Sequence, residues 1–353
     1  MNQRLFSLLG IGTLLLVLAV LAVNWLGPQR AASPVAEKLL PELKSELAAI
    51  DHIVLRHAGQ VAIDLQRSGE HWQLVNRGNY PANVGKIRAL LDNLSRADKQ
   101  EAKTADPARY DKLGVAETSE KATLLTVMAG EKVVADLIVG TAVSRPAGHF
   151  VRAKNDPQSW LIDRELDVSK EASDWLRTEL INLPAVKLKQ VERLKLVPVQ
   201  CIQAPCLPQP GERQFALSKS KPEDNEFVLS PLPAGKEKGA AWLLSGLTDG
   251  LNGLNAVDVQ ALATFDFSKA TATLTRYSSF DDQIVLLTHY GKDGKHFVTL
   301  HQEAGPAASE EIKQAVAAFN TQHAGWVYEI SSYKGEGLAR DLNALVQDKK
   351  AGS

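Results

Sequence analysis

One stretch near the start of the chain limits how the rest can be organised. Residues Leu5–Leu26 contain no charged side chain, and as one helix they would be about 30 Å long, which matches the hydrocarbon core of a bilayer. No comparable apolar run follows in the sequence. The pattern predicts one large body outside the bilayer and a single transmembrane helix, residues 5–26, whose anchor residues include Leu5, Leu14, Leu15, Leu16, Val17 and Trp25.

A cleaved signal peptide is the main alternative to an uncleaved span. Signal peptides also combine a basic start, here Arg4, with an apolar core, but that core is usually only about 7–15 residues long. This run is longer, and it ends with Trp25 just before Gly27-Pro28. Tryptophan is common at membrane interfaces. We expect an uncleaved single span, with residues 1–4 as a cytoplasmic stub.

The two cysteines, Cys201 and Cys206, favour a body in an oxidising compartment. Four residues separate them in a proline-containing segment, a spacing that suits a small disulfide loop, with two unpaired thiols as the alternative. A zinc site would need further ligands, and no other His or Cys is near in sequence. The charges flanking the span do not decide its orientation. We therefore expect a disulfide and a periplasmic body.

The charge balance argues against a nucleic-acid partner. Forty basic and forty-one acidic residues give a formal net charge of -1, so the body has no overall field that attracts a polyanion. Residues 27–50 are expected to form a linker and a juxtamembrane helix. The rest of the chain is long enough for two domains of ordinary size.

The body is predicted to be α+β, with one order of elements occurring twice. Short runs of alternating apolar residues predict strands, and an amphipathic helix interrupts each set. We assign a first antiparallel-sheet-plus-helix unit to residues 51–186 and a second, a divergent tandem repeat, to residues 187–353; chance likeness between two β-rich units is the alternative. The recurring segments are His71–Leu74 with Glu226–Leu229, His149–Val151 with His296–Val298, and Ser159–Ile162 with Gly325–Tyr328.

Several longer helices are predicted from caps and helical periodicity. One of them contains Gly246, Gly250 and Gly253. No Gly-Lys-Ser/Thr follows these glycines, so we expect them to allow close packing on a sheet rather than phosphate binding. One predicted helix begins after the Asn83 cap. The others span Lys170–Leu180, Gly239–Leu254, Ser309–His323 and Gly337–Val346.

Residues 70–180 carry short motifs in the order of a known family. A Trp-x-Leu strand precedes an amphipathic helix, then a Tyr-x-x-Leu-Gly segment, then strands that end in Val-Gly and Phe-Val-Arg. This order resembles the bacterial domain of unknown function 4340 (DUF4340). The second unit lacks the Tyr-x-x-Leu-Gly and Val-Gly segments. The residues that carry the resemblance are Trp72, Tyr110, Leu113, Gly114, Gly140, Phe150 and Val151.

The resemblance implies a setting rather than a reaction. Members of this family resemble single-span inner-membrane proteins with periplasmic bodies, similar in setting to auxiliary components of gliding-motility-type ABC exporters. No catalytic residues are attributed to the family, so none is transferred to this chain.

The residues themselves do not form a catalytic motif. The sequence contains neither His-Glu-x-x-His nor Gly-x-Ser-x-Gly, the signatures of zinc proteases and serine hydrolases. His71, His149 and His296 fall in predicted strands, and we expect them to face solvent. We assign no catalytic, cofactor-binding or metal-ligating residue and expect no cofactor.

The expected function is therefore binding. We expect a non-catalytic auxiliary or scaffold component of an ABC-type transport or envelope system, with the lipid bilayer and ABC permease or ATPase subunits as partners. The alternatives are a periplasmic enzyme acting on envelope polymers and a membrane-anchored ligand-binding protein. A deep cleft with clustered polar residues would favour the enzyme, whereas a grooved face with exposed apolar side chains would favour binding.

Overall fold

The structure, a computed structural model, describes residues 37–197 and 208–349. The predicted span at Leu5–Leu26 and the cysteines of the predicted disulfide, Cys201 and Cys206, lie outside these residues. Within them, no helix combines the length and the apolar character needed to cross a membrane. The described part is α+β and is built mainly from antiparallel strands, as the period-two pattern predicts.

Nine strands form the first sheet. They are β1 His52–His57, β2 Ile63–Ser68, β3 His71–Leu74, β4 Tyr80–Pro81, β5 Lys99–Ala102, β6 Thr123–Ala129, β7 Lys132–Ser144, β8 Ala147–Ala153 and β9 Ser159–Ile162. Their order across the sheet is β4-β3-β2-β1-β6-β7-β8-β9-β5. Strands β6 to β9 form an antiparallel meander, and β5 pairs antiparallel with β9 at one edge.

The remaining strands are β10 Glu179–Ile181, β11 Leu188–Val197, β12 Gln209–Ser218, β13 Val228–Ser230, β14 Lys236–Lys238, β15 Leu254–Ala261, β16 Thr271–Ser279, β17 Gln283–Lys292, β18 Lys295–Ala304, β19 Trp326–Ile330 and β20 Val346–Asp348. Nine of them form a second sheet in the order β10-β15-β19-β18-β17-β16-β11-β12-β13, while β14 and β20 pair separately.

The two sheets share one strand order. Eight strands of each follow the same sequence across the sheet, β3-β2-β1-β6-β7-β8-β9-β5 in the first and β13-β12-β11-β16-β17-β18-β19-β15 in the second. The register also agrees, because His149 and His296 each pair with the isoleucine that ends the next strand. In this register Tyr328, and not Trp326, occupies the place of Trp160, which shifts the third predicted pair of segments by two residues.

Six α-helices occur in the described residues, and two confirm their predicted starts. The Asn83 side chain accepts a hydrogen bond from the backbone N–H of Lys86 at 3.1 Å, and the Ser309 hydroxyl accepts one from Ile312. Both are N-caps that satisfy free N–H groups in the first turn. The helices are α1 Leu43–Glu46, α2 Val84–Arg96, α3 Tyr110–Leu113, α4 Ala241–Thr248, α5 Glu310–His323 and α6 Ser332–Ala339.

The prediction of a helix at Lys170–Leu180 is wrong. Only a 3-10 turn, Ala172–Trp175, forms there, and the chain then extends into β10. The backbone N–H of Asn83 donates to the Trp175 carbonyl, and the N–H of Arg177 donates to the Pro81 carbonyl. These bridges use the backbone groups that a helix would need.

Helices α4 and α6 also differ from their predicted ranges. Helix α4 ends at Thr248 rather than at residue 254, and the Lys334 ammonium donates to the carbonyls of Asp249 and Asn252 just beyond its end. Helix α6 begins at Ser332, five residues before its predicted start at Gly337, because the Ser331 side chain caps it by accepting from the N–H of Lys334.

Contacts divide the described chain into two compact units that do not follow the chain in order. The first comprises residues 37–50, 56–60 and 89–168, and the second comprises residues 51–55, 61–88, 169–197 and 208–349. The predicted boundary at residues 186–187 stays a prediction. The first unit contains an apolar cluster of Tyr110, Val115, Ala122 and Ile138, and the second contains one of Phe265, Tyr290, Phe297 and Val327.

Within the second unit, the segment at residues 77–80 packs on strands from near the chain's end. The Tyr80 ring lies edge-on to the rings of Trp326 and Tyr328, with centroids 5.1 and 6.0 Å apart. The Arg77 Nε atom lies 3.1 Å from the Asp258 carboxylate. Distant parts of the sequence therefore complete one core.

Candidate functional site

Four of the predicted motif residues meet at one turn of the first unit. Tyr110 and Leu113 begin and end α3, and Gly114 then takes a left-handed conformation with φ of 70°, which glycine adopts without steric cost. Gly140 lies on β7, where an added Cβ would sit 2.3 Å from the Leu113 carbonyl oxygen. Both glycines are therefore required by geometry.

The other three motif residues occupy different places. Phe150 packs against the apolar cluster that contains Tyr110. Val151 is fully buried on β8, opposite Val139. Trp72 is buried on β3 and belongs to the second compact unit.

Arg152, which directly follows Phe150-Val151, fastens this turn through backbone carbonyls. Its Nε atom donates to Val115 at 3.2 Å and its Nη1 atom donates to Asp156 at 3.3 Å. The guanidinium lies over the Tyr110 ring, 4.5 Å from the centroid, and the Tyr110 hydroxyl donates to the Pro157 carbonyl at 2.6 Å. The polar groups of the motif are engaged with the backbone, so the motif is a structural device.

The comparison with known families agrees with the motif. A family described as domain of unknown function DUF4340 matches residues 72–277, more than half of the chain. The chain belongs to the DUF4340 family. The match extends past residue 180, where the recognisable motifs end, and includes most strands of the second sheet. No curated protein and no solved structure matches the chain.

The histidines of this DUF4340 chain are more buried than their strand positions suggested. His71 is exposed, but the expectation that His149 faces solvent is wrong. It is 7% exposed, its Nδ1 atom accepts from the backbone N–H of Leu166 at 3.0 Å, and burial lowers its pKa. His296 is half-buried, and its ring stacks on that of buried His289 with their nitrogens 2.9 Å apart.

These side chains do not form a metal centre in the described part of the chain. Within residues 37–197 and 208–349, no group of three or more His, Cys, Asp and Glu side chains is placed to hold a metal ion. The His289–His296 pair is held by its own hydrogen bond and by close packing, since an added Cβ on Gly335 of α6 would lie 2.0 Å from the His296 ring.

The candidate site is a cleft of the second unit between α4 and α6, which we call the aromatic cleft. It has a volume of about 280 Å³ and is lined by Trp242, Tyr333, Asp249, Glu336, Lys334 and Arg340, among others. Trp242 is 67% exposed and Tyr333 is 83% exposed. Large aromatic side chains in such positions mark surfaces that bind a partner.

Two glycines bring the helices of this cleft into backbone contact. An added Cβ on Gly246 of α4 would lie 2.8 Å from the Cα atom of Gly337 in α6, and the reverse distance is 2.9 Å. Gly250 instead faces the second sheet, where an added Cβ would lie 2.6 Å from the Tyr277 hydroxyl. The prediction that these glycines allow close packing on a sheet is correct for Gly250 only. Gly246 packs on a helix, and an added Cβ on Gly253 would meet nothing within 4 Å.

Both cations of the aromatic cleft are engaged with carbonyl groups. The Lys334 ammonium donates to Asp249 and Asn252 at 2.7 Å each, and burial lowers its pKa. The Arg340 Nη1 atom donates to the carbonyls of Trp242 and Leu243. The Arg340 guanidinium also lies 5.9 Å from the centroid of the Trp242 ring, a distance at which a cation attracts an aromatic face.

The aromatic cleft presents two aromatic faces and two carboxylates, Asp249 and Glu336, on a fixed frame. This arrangement suits the binding of a polar and aromatic surface. Sequence analysis missed the site because Tyr333 preceded the predicted start of the last helix. The available signal was Trp242, which lies four residues before Gly246 in the predicted Gly-rich helix.

Proposed function

We propose that this protein is a membrane-anchored, non-catalytic scaffold or auxiliary subunit of an ABC-type transport or envelope system, and that the aromatic cleft contacts its partner protein. The observation that carries the proposal is the pair of exposed aromatic side chains, Trp242 and Tyr333, on two helices held in backbone contact. Trp, Tyr and Arg are the residue types that contribute most to binding energy at protein interfaces, and Arg340 braces the tryptophan.

The anchor is part of the same proposal. The uncharged run Leu5–Leu26 would hold the chain in the inner membrane with its body in the periplasm, where the Cys201–Cys206 disulfide would persist. Membership of the DUF4340 family is consistent with this setting. A body tethered beside a permease would bind it at a raised effective concentration, so a cleft of modest size would be sufficient.

We also propose that the two sheets arose by tandem duplication. The support is their common order of eight strands and the α-helix that precedes the last strand of that order in each, α2 before β5 and α4 before β15. In the second sheet, α5 is inserted between the last two strands of the meander. The aromatic cleft lies in the half that carries the additional helices α5 and α6, so this half would have acquired the partner contact.

The test is a pull-down of the full-length, tagged protein from membranes in mild detergent, with partners identified by mass spectrometry. We expect ABC permease and ATPase subunits to be recovered with the wild type and lost with a Trp242→Ala/Tyr333→Ala variant. A variant without Leu5–Leu26 should also lose them. The matched control is Val61→Ala, an exposed apolar side chain elsewhere in the second unit, which should retain the partners.

Two outcomes would count against the proposal. Recovery of the protein alone, under conditions that keep other membrane complexes intact, would contradict the auxiliary-subunit function. Recovery of the same partners by the double variant and the wild type would contradict the role of the aromatic cleft and leave the anchor as the main contact.

A further inference from the structure

A second cleft of the second unit contains an arginine with unused hydrogen-bond donors. This cleft, which we call the Arg193 cleft, has a volume of about 350 Å³ and is lined by Arg193, Thr273, Gln214, Asn343, Arg340 and Asp341, among others. It is distinct from the aromatic cleft, although Arg340 lines both.

Arg193 is an unusual residue for its position. It lies on β11, directly opposite Thr275 of β16, and is 3% exposed. Within the described part of the chain, only its Nη2 atom has hydrogen-bond partners, the carbonyls of Leu338 at 2.6 Å and Arg340 at 3.0 Å, just where α6 ends. Arginine keeps its charge when buried, so this guanidinium brings a positive charge into the protein.

The remaining donors of Arg193 have no partner among the residues that the structure describes. Its Nε and Nη1 atoms are buried and make no hydrogen bond, although a buried charged group with unmet donors is costly. The hydroxyl oxygen of Thr273, on the wall of the same cleft, is also buried without a partner, as are those of Thr275 and Tyr277 on the same strand. Each of these hydroxyls can donate a hydrogen bond.

The charges around the cleft favour an anion. The cleft is lined by two guanidinium groups, those of Arg193 and Arg340, and by one carboxylate, that of Asp341. The Asp341 Oδ1 atom accepts a hydrogen bond from the backbone N–H of Ala344 at 3.0 Å. Arg340 is directed to the carbonyls of Trp242 and Leu243, so Arg193 is the group with free donors. An oxyanion would supply the acceptors that these donors lack.

We propose that the Arg193 cleft binds a small oxyanion, a carboxylate or phosphate group, through the guanidinium of Arg193 and the hydroxyl of Thr273. The ligand could be a free metabolite or a group carried by a larger molecule; the chemistry recognised is the same. The Asp341 carboxylate repels the anion, so the affinity of the cleft for the anion is modest. This function is separate from partner binding at the aromatic cleft and does not depend on it.

The test measures thermal unfolding of the full-length protein in detergent by tryptophan fluorescence. Sodium acetate or sodium phosphate is titrated at constant ionic strength, with chloride as the balancing anion. A ligand that binds only the folded state raises Tm in a saturable way. We expect saturation with one of the two anions, which identifies the carboxylate or the phosphate group as the preferred ligand.

Two variants that preserve the fold give effects of opposite sign. Asp341→Asn removes the opposing charge but keeps an acceptor for Ala344, so it should tighten binding by about fivefold. Thr273→Val keeps the shape and removes the hydroxyl, so it should weaken binding by about fivefold. Arg213→Met, an exposed arginine on β12 paired with Glu192, is the control and should bind as the wild type does.

The proposal is overturned by either of two results. One is that neither acetate nor phosphate raises the Tm of the wild type in a saturable way. The other is equal affinity in wild type, D341N and T273V, which would place the anion elsewhere on the protein.

Discussion

Single side chains of the family motif hold backbone in place rather than present reactive groups. Arg152 donates to a row of carbonyls and covers the Tyr110 ring, while Gly114 and Gly140 provide conformational freedom and space. A short motif of this kind identifies a family because few residue types can replace an αL glycine or a carbonyl-binding arginine. It does not reveal an activity.

Replacing Arg152 should destabilise the protein markedly. An Arg152→Ala change would remove the donor to the buried Val115 carbonyl and to partly buried carbonyls of residues 153–156, and it would uncover the Tyr110 ring. We therefore expect the free energy of unfolding to fall by about 2–4 kcal/mol. The measurement is urea unfolding followed by circular dichroism. As a control, Arg109→Ala removes an arginine whose side chain is 70% exposed, and its effect should stay below about 0.5 kcal/mol. Similar losses in both variants would refute this role.

Sequence reasoning found the residues of the motif but not the partners of the buried polar groups. Arg193 shows the limit clearly: its position in a strand of alternating apolar residues predicts only that one face of the strand is buried. The charge enters the interior because the carbonyls of Leu338 and Arg340 lie there, and those residues are far away in sequence. His149 was misjudged for the same reason, since its acceptor role toward Leu166 depends on the fold.

At the scale of elements, periodicity predicted most strands and the two helices with clear caps, α2 and α5. It failed where tertiary hydrogen bonds compete with local propensity. The Lys170–Leu180 segment has helical spacing, but backbone hydrogen bonds to residues 81–83 hold its middle part in an extended conformation. The sequence places the start of helix α6 too late because Ser331, its cap, precedes a segment with two glycines rather than an apolar run.

The contact between α4 and α6 should depend on its glycines. In a Gly246→Ala variant the new Cβ would lie 2.8 Å from the Gly337 Cα atom, so the helices would have to separate. We expect the free energy of unfolding to fall by about 1–3 kcal/mol, despite the higher helix propensity of alanine. Ser245→Ala, at the neighbouring position of α4, should change it by less than about 1 kcal/mol. A stabilised G246A variant would mean that the helices are not in contact.

For the whole molecule, buried histidines make stability depend on pH. Burial lowers the pKa of His323 and of His289 to about 4 each. The His323 Nδ1 atom lies 2.7 Å from the Tyr328 hydroxyl, and the ring stacks on Phe319; Arg177 adds a smaller repulsion of the protonated form. In the unfolded chain these imidazoles take up a proton near pH 6.5.

We therefore expect stability to be lost on acidification. Between pH 6.5 and about 4 the unfolded state binds more protons than the folded state, so the free energy of unfolding falls as pH falls, by about 1.4 kcal/mol per pH unit for each histidine. Urea unfolding at a series of pH values measures this slope. His323→Gln should lower the slope by about 1.4 kcal/mol per pH unit, which is the contribution of one histidine. The exposed His71→Gln should not change the slope. An unchanged slope in H323Q would show that another group titrates.

The packing of Tyr80 on Trp326 and Tyr328 sets an order of events during biosynthesis. Tyr80 is synthesised well before Trp326 and Tyr328, the rings it packs against. Domains fold as units while the chain is being synthesised, and this unit combines residues 61–88 with residues that follow position 169. The Tyr80 ring therefore cannot take its packed place until residues 326–328 have left the ribosome.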